Sequence, residues 1–227
     1  MKKTVLIITA LLASLSLRAE EESSYSATVD VTYATTYVFR GVELANGTLI
    51  EIAKGNFAAG MWSAQPITDN IDNEIDFYAG FSVPLNDSWA FDAGATLYYY
   101  PELDTAGGTI DDATWEPYIS VSGDVNGFAP VISAFYDITL EVLTLEGSLG
   151  YSVPLEGVAS SLDFGASLGR VDPKSGTGYT YYNLGVSLPF AISDTATISV
   201  SLDYAHNDIA GADNDFFFGT IGMSIGF

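Results

Sequence analysis

Beyond residue 25, apolar and small polar residues alternate along most of this 227-residue chain, and that period of two constrains the fold more than any other feature. Ile198, Val200, Leu202 and Tyr204 share one parity; Thr197, Ser199, Ser201 and Asp203 share the other. Leu162, Phe164, Ala166 and Leu168 alternate with Asp163, Gly165, Ser167 and Gly169. Leu143, Leu145, Leu149 and Tyr151 alternate in the same way with Thr144, Glu146, Ser148 and Ser152. Successive side chains of a strand point to opposite faces, so each segment is a ribbon with one greasy and one polar side.

The start of the chain stands outside this pattern. Lys2 and Lys3 precede an apolar run from Thr4 to Leu17, followed by Arg18-Ala19 and then Glu20-Glu21-Glu22. That run is shorter than the ~20 residues a membrane-spanning helix needs. It reads as a secretory signal peptide, residues 1–19, cleaved after Ala19 and leaving residues 20–227 as one domain. Of the seven Lys and Arg residues, only Arg40, Lys54, Arg170 and Lys174 follow that point, against 29 Asp and Glu. Such an acidic balance argues against nucleic-acid binding, which needs a basic footprint, and favours either cations as partners or simply an acidic exterior facing a cation-rich surface. There is no cysteine, so an exported chain of this kind has no disulfide staple and relies on hydrogen bonding and packing.

Two architectures share the alternation. A soluble sandwich turns the greasy faces inward, whereas a membrane barrel turns them to lipid and keeps Gly, Ser, Thr and single carboxylates inside. Solvated sheet faces and edges normally carry Lys and Arg, and four basic residues are too few for that. The expectation is therefore an all-β, transmembrane, antiparallel up-and-down barrel. Strands are expected near 25–40, 47–54, 56–65, 73–83, 88–100, 112–122, 129–139, 142–153, 158–170, 178–189, 195–206 and 214–227. Twelve is an even number, which places both termini on one side. Short turns at 54–56, 84–87, 123–128, 154–157 and 191–194 then alternate with longer loops on the opposite side. Aromatic clusters at strand ends, Tyr37 with Phe39, Tyr98-Tyr99-Tyr100, Tyr179 with Tyr181-Tyr182, and Phe216-Phe217-Phe218, are expected to form interfacial girdles. The final amphipathic strand ends in Phe227, the type of signal read by the barrel-assembly machinery.

Tyr37-Val38-Phe39-Arg40-Gly41, Met61-Trp62-Ser63, Asp76-Phe77-Tyr78-Ala79-Gly80 and Tyr98-Tyr99-Tyr100-Pro101 resemble the TorF-type family of outer-membrane porins. The resemblance covers mainly the first hundred residues and implies a small outer-membrane barrel of porin type. That family's pattern has Ser-Asp before the Tyr where this chain has Thr35-Thr36, so a partner for Arg40 must be another carboxylate.

Parity places Asp30, Glu51, Asp76, Asp92, Glu116, Glu146, Asp163 and Asp203 on inward faces, with Arg40 also inward. Carboxylates face lipid only at high cost, so these line water or pair with one another. Two readings stay open. One is a narrow, cation-preferring channel for small solutes, with Arg40 held against one or more acids. The other is a non-conducting structural or surface-binding barrel, its acidic loops an interaction face and its polar interior packed, with Arg40, Asp30 and Asp76 satisfying one another. Twelve strands fall between barrels filled by side chains and open sixteen-stranded porins.

Acidic loops at Asp69 to Asp72, Asp104, Asp111-Asp112, and Asp208 with Asp213 and Asp215 offer oxygen ligands for Ca²⁺ or Mg²⁺ but lack the spacing of a calcium loop, so they read first as solvated. The single histidine, His206, has Ser199 and Ser201 on the opposite parity, so no nucleophile is nominated and no enzyme is expected. Gly176-Thr177-Gly178 is a hairpin turn rather than a phosphate cradle. No cofactor or metal is expected; the expected partners are outer-membrane lipid, the assembly machinery and small solutes.

Overall fold

The computed structural model describes residues 26–44, 47–54, 56–64, 74–101, 113–158 and 160–227. Residues 1–25, with the segment expected to be a signal peptide, Gly55 and the loop acids between Asp69 and Asp72, Asp104, Asp111 and Asp112 lie outside the described residues. Twelve strands close into one antiparallel barrel: β1 (Ser26–Ala34), β4 (Gly47–Lys54), β5 (Phe57–Ala64), β6 (Glu74–Pro84), β7 (Trp89–Tyr99), β8 (Ala113–Gly123), β9 (Phe128–Asp137), β10 (Val142–Leu155), β11 (Ser160–Pro173), β12 (Tyr179–Ala191), β13 (Ala196–Asn207) and β14 (Asp215–Gly226). Each strand pairs with its sequence neighbour, and β1 closes the ring against β14, with Val31 opposite Met223. At the seam the Phe227 amide donates to the Ala27 carbonyl at 2.8 Å.

The greasy faces point outward. On β9, Ile132 is 71% exposed and its neighbour Ser133 is 3% exposed. On β11, Leu168 and Ser167 divide in the same sense, 60% against 7%. The buried set is dominated by Ser, Thr, Asn, Asp and Glu, while the large exposed side chains are Ile, Leu, Val, Phe and Tyr. A soluble sandwich has the reverse distribution, so the barrel presents a lipid-type exterior and a polar interior.

Two departures from the expected layout matter. The strand expected over 25–40 ends at Ala34, and the chain bends at Thr35-Thr36. It then forms a separate hairpin of β2 (Tyr37–Phe39) and β3 (Val42–Leu44), outside the barrel sheet. Arg40 and Gly41 make its two-residue turn with φ of 48° and 77°. Both values are left-handed, which is the twist a tight hairpin turn requires. The aromatic clusters also divide. Period two sends Tyr99 and Phe217 outward but Tyr98, Tyr181 and Phe218 into the interior, where all three are buried. A consecutive triplet in a strand cannot all face lipid. The clusters are therefore half girdle and half lumen lining.

Candidate functional site

The β2–β3 hairpin leaves the barrel sheet at the end of β1, the rim opposite the start of β1 and the end of β14. From there the hairpin folds into the lumen. At its root, the Thr35 amide donates to the Gly219 carbonyl at 2.9 Å, and the Gly219 amide donates to Thr35 Oγ1 at 3.1 Å. One side of the hairpin buries Val38 against Ala205 and Phe218. At the tip, Asn207 Nδ2 donates to the Gly41 carbonyl at 2.6 Å. The fit is close: a Cβ on Gly41 would lie 2.8 Å from Tyr181 Cβ.

The Arg40 side chain then crosses to the opposite wall. Its two terminal nitrogens donate to the two carboxylate oxygens of Glu116 on β8, each at 2.7 Å. Glu116 Oε1 also accepts from the Tyr98 hydroxyl at 2.9 Å. The guanidinium carbon lies 4.7 Å from the Phe39 ring centre and 4.8 Å from that of Phe135. A planar cation held by a carboxylate fork and two aromatic faces is a strong, oriented arrangement. Arg40 is interior, as expected, but it reaches the lumen on an inserted hairpin rather than on a barrel strand. Its partner is Glu116, neither Asp30 nor Asp76.

None of the other interior acids forms an ion pair among the described residues, although Glu146 feels the charge of Arg40. Asp92 accepts from Ser122 at 3.0 Å, Asp163 from Ser152 at 2.5 Å, and Asp203 from Ser201. Glu146 accepts from Tyr181 at 2.7 Å. Asp30 is half-buried and bonded to Ser224. Asp76 is 1% exposed, and its Oδ1 has no hydrogen-bond partner. The side chain of Glu51 lies outside those described. Two interior acids escaped the sequence reading. Glu74 is buried and accepts from Tyr100 at 3.0 Å, and its parity with Asp76 would have found it. Asp137 is also buried, but its Oδ1 takes the Thr139 and Leu140 amides at 2.8 and 2.7 Å, so it caps the turn.

Packing around these groups is tight enough to test. A methyl on Gly169 would lie 2.2 Å from Tyr181 Cζ, whereas one on outward-facing Gly147 would meet nothing. Gly169→Ala is therefore expected to displace the Tyr181 ring from Glu146 and to cost about 1–3 kcal/mol. Gly147→Ala is expected to be near neutral. Urea unfolding in lipid vesicles checks both.

His206 sits on the outer face near the loop rim. Its Nδ1 is 3.0 Å from Asp215 Oδ1, which also accepts from the Tyr204 hydroxyl at 2.5 Å. Ser201 is buried on the inner face, hydrogen-bonded with Asp203 and Thr220. The wall of the barrel separates this histidine from that serine.

A closed antiparallel barrel with a lipid-type exterior and a polar, hairpin-occupied lumen has the fold of the outer-membrane porins, and the comparisons agree. The KdgM porin, solved in complex with disordered oligogalacturonate, superposes with a TM-score of 0.59 at 11% identity, over 89% of this chain and 99% of that one. The NanC porin gives 0.57 at 15% identity, over 89% and 99%. The COG4313 outer membrane channel from Pseudomonas putida F1 gives 0.56 at 11% identity, over 92% and 97%. No curated protein matches by sequence. The chain belongs to a family described as a bacterial protein of unknown function (Gcw_chp), whose profile matches residues 18–224.

Proposed function

We propose that this protein is a passive, cation-preferring channel of the Gram-negative outer membrane for small solutes. Residues 1–19 serve as its export signal, and Phe227 as the terminal aromatic read during assembly. The observation that carries this reading is the acidity of the lumen: Asp92, Glu146, Asp163 and Asp203 are buried on inner faces, and the ion pair of Arg40 is with Glu116 alone. A cation about 4 Å from one uncompensated carboxylate gains roughly 1–4 kcal/mol, depending on the local dielectric. Every 1.4 kcal/mol is about tenfold in occupancy, so one or two such acids suffice to set a preference. Tyr37 to Gly41 and the other TorF-like segments point to the same class. An oligogalacturonate, the ligand of the KdgM structure, is a chain of carboxylates and suits this acidic interior poorly; cations and neutral solutes suit it better.

In planar bilayers under a potassium chloride gradient, the purified protein is expected to show discrete conductance steps with a reversal potential of cation-selective sign. A chloride preference would overturn the proposal. A second reading, a non-conducting barrel, is favoured by the hairpin itself, which fills part of the lumen. Absence of any steps above membrane leak would select it.

A further inference from the structure

The barrel wall supplies most of the groups that hold the Arg40 guanidinium. Glu116, Tyr98 and Phe135 lie on three consecutive strands, β8, β7 and β9, all facing inward. Together they supply a carboxylate fork, a phenol that holds one of its oxygens at 2.9 Å, and an aromatic face 4.8 Å from the bound cation's centre. Arg40 is the occupant, delivered from a hairpin that pairs only with itself. Three-residue strands in an isolated two-stranded sheet have little stability of their own.

We infer that this wall site binds small guanidinium and similar cationic solutes, and that Arg40 is an internal, exchangeable occupant which keeps the lumen narrow until such a solute replaces it. The inference gives the proposed channel a substrate class, and its purpose rests on that reading. Exchange of one guanidinium for another keeps the ion pair with Glu116 and the contact with the Phe135 face. What is lost is the Phe39 face 4.7 Å from the guanidinium carbon, the Asn207–Gly41 hydrogen bond at 2.6 Å and the small Val38 patch against Ala205 and Phe218. A neutral hydrogen bond contributes only about 0.5–1.5 kcal/mol net.

Asp76 is an independent pointer. It lies in direct register with Tyr98, is 1% exposed, and has an Oδ1 without a hydrogen-bond partner. It interacts electrostatically with both Glu74 and Glu116. Arg40 forms its ion pair with Glu116 and leaves this buried Asp76 oxygen beside the receptor without a partner of its own.

The test uses methylguanidinium, with neutral methylurea as its shape control, on the full-length protein in detergent. Calorimetric titration of Arg40→Ala is expected to give a dissociation constant for methylguanidinium at least about tenfold tighter than that of Arg40→Ala/Glu116→Gln, as a charge-assisted fork requires. Methylurea should bind neither. Exchange with the native occupant is read on Val38→Cys, whose only thiol is buried on the hairpin. Methylguanidinium, but not methylurea, is expected to raise its rate of labelling by a bulky maleimide. Equal affinities for the two Arg40 variants, or an unchanged labelling rate, would overturn the inference. Potassium chloride conductance of the same preparations is recorded separately. If binding and labelling hold while no variant conducts, the receptor stands and the channel reading fails.

Discussion

Replacing residues 37–44 with a short Gly-Ser linker is expected to raise single-channel conductance several-fold and to sharpen cation preference at the same time. The two effects have different physical origins. The hairpin fills cross-section: Val38 packs on β13 and β14, while Phe39 lies 6.3 Å from Tyr98 on the far wall, so one short ribbon spans the opening. Removing it returns that space to water. It also removes Arg40, the only basic side chain inside the barrel among the described residues, and leaves Glu116 and Glu146 unopposed. A plain enlargement of a pore weakens selectivity, because ions pass farther from the wall charges and are screened within about 10 Å at 0.1 M salt. A rise in conductance together with a rise in cation preference would therefore identify Arg40 as the cation that offsets the acids. Because the hairpin lies outside the barrel sheet, the twelve-strand ladder keeps its hydrogen bonds, and refolding in vesicles should be little affected. Unchanged conductance would mean that the narrowest point lies elsewhere.

Most of the barrel was legible because its rules are local. Period two determined which side chain of each pair, Ile132 or Ser133, Leu168 or Ser167, faces outward, and Gly-, Pro- and Asn-rich breaks marked the turns. The same rule puts Asp76, Asp92, Glu116, Glu146, Asp163 and Asp203 on inner faces, and all six are buried. It failed at Thr35-Thr36. Nothing local distinguishes a strand that continues to Arg40 from one that bends and sends a hairpin across the lumen, since Val38, Phe39 and Arg40 suit either course. The partner of Arg40 was hidden for a related reason: Glu116 is 76 residues away and is brought near only by closure of the ring. Aromatic triplets misled because interfacial girdles and lumen walls draw on the same residues. Tyr98 and Tyr181 use their hydroxyls on Glu116 and Glu146, whereas Tyr99 and Phe217 face outward. Parity separates them once a strand's phase is known, and composition does not.

The largest expected loss of stability comes from a single residue on the outer face. Ile132 lies near the middle of β9, opposite Val121 on β8 and Gly147 on β10. Ile132→Arg places a charge against hydrocarbon near the bilayer midplane, at a cost of about 2–4 kcal/mol for a transmembrane barrel. The same residue one position along meets a different environment. Ser133→Arg points inward, where Glu146 stands directly opposite on β10 and offers a counter-charge. Its stability loss is expected to be smaller, and its main effect to be reduced conductance and weakened cation preference. Urea titration of protein folded into phosphatidylcholine vesicles measures the first effect, and bilayer recording the second. A soluble sandwich would order the two variants the other way, since Arg is at home on a watery face and ruinous in a dry core. Ile132→Arg tolerated without loss, beside a Ser133→Arg chain that cannot fold, would place the aliphatic side of every strand against protein rather than lipid. The lumen, its acids and the hairpin within it would then have no axis to surround.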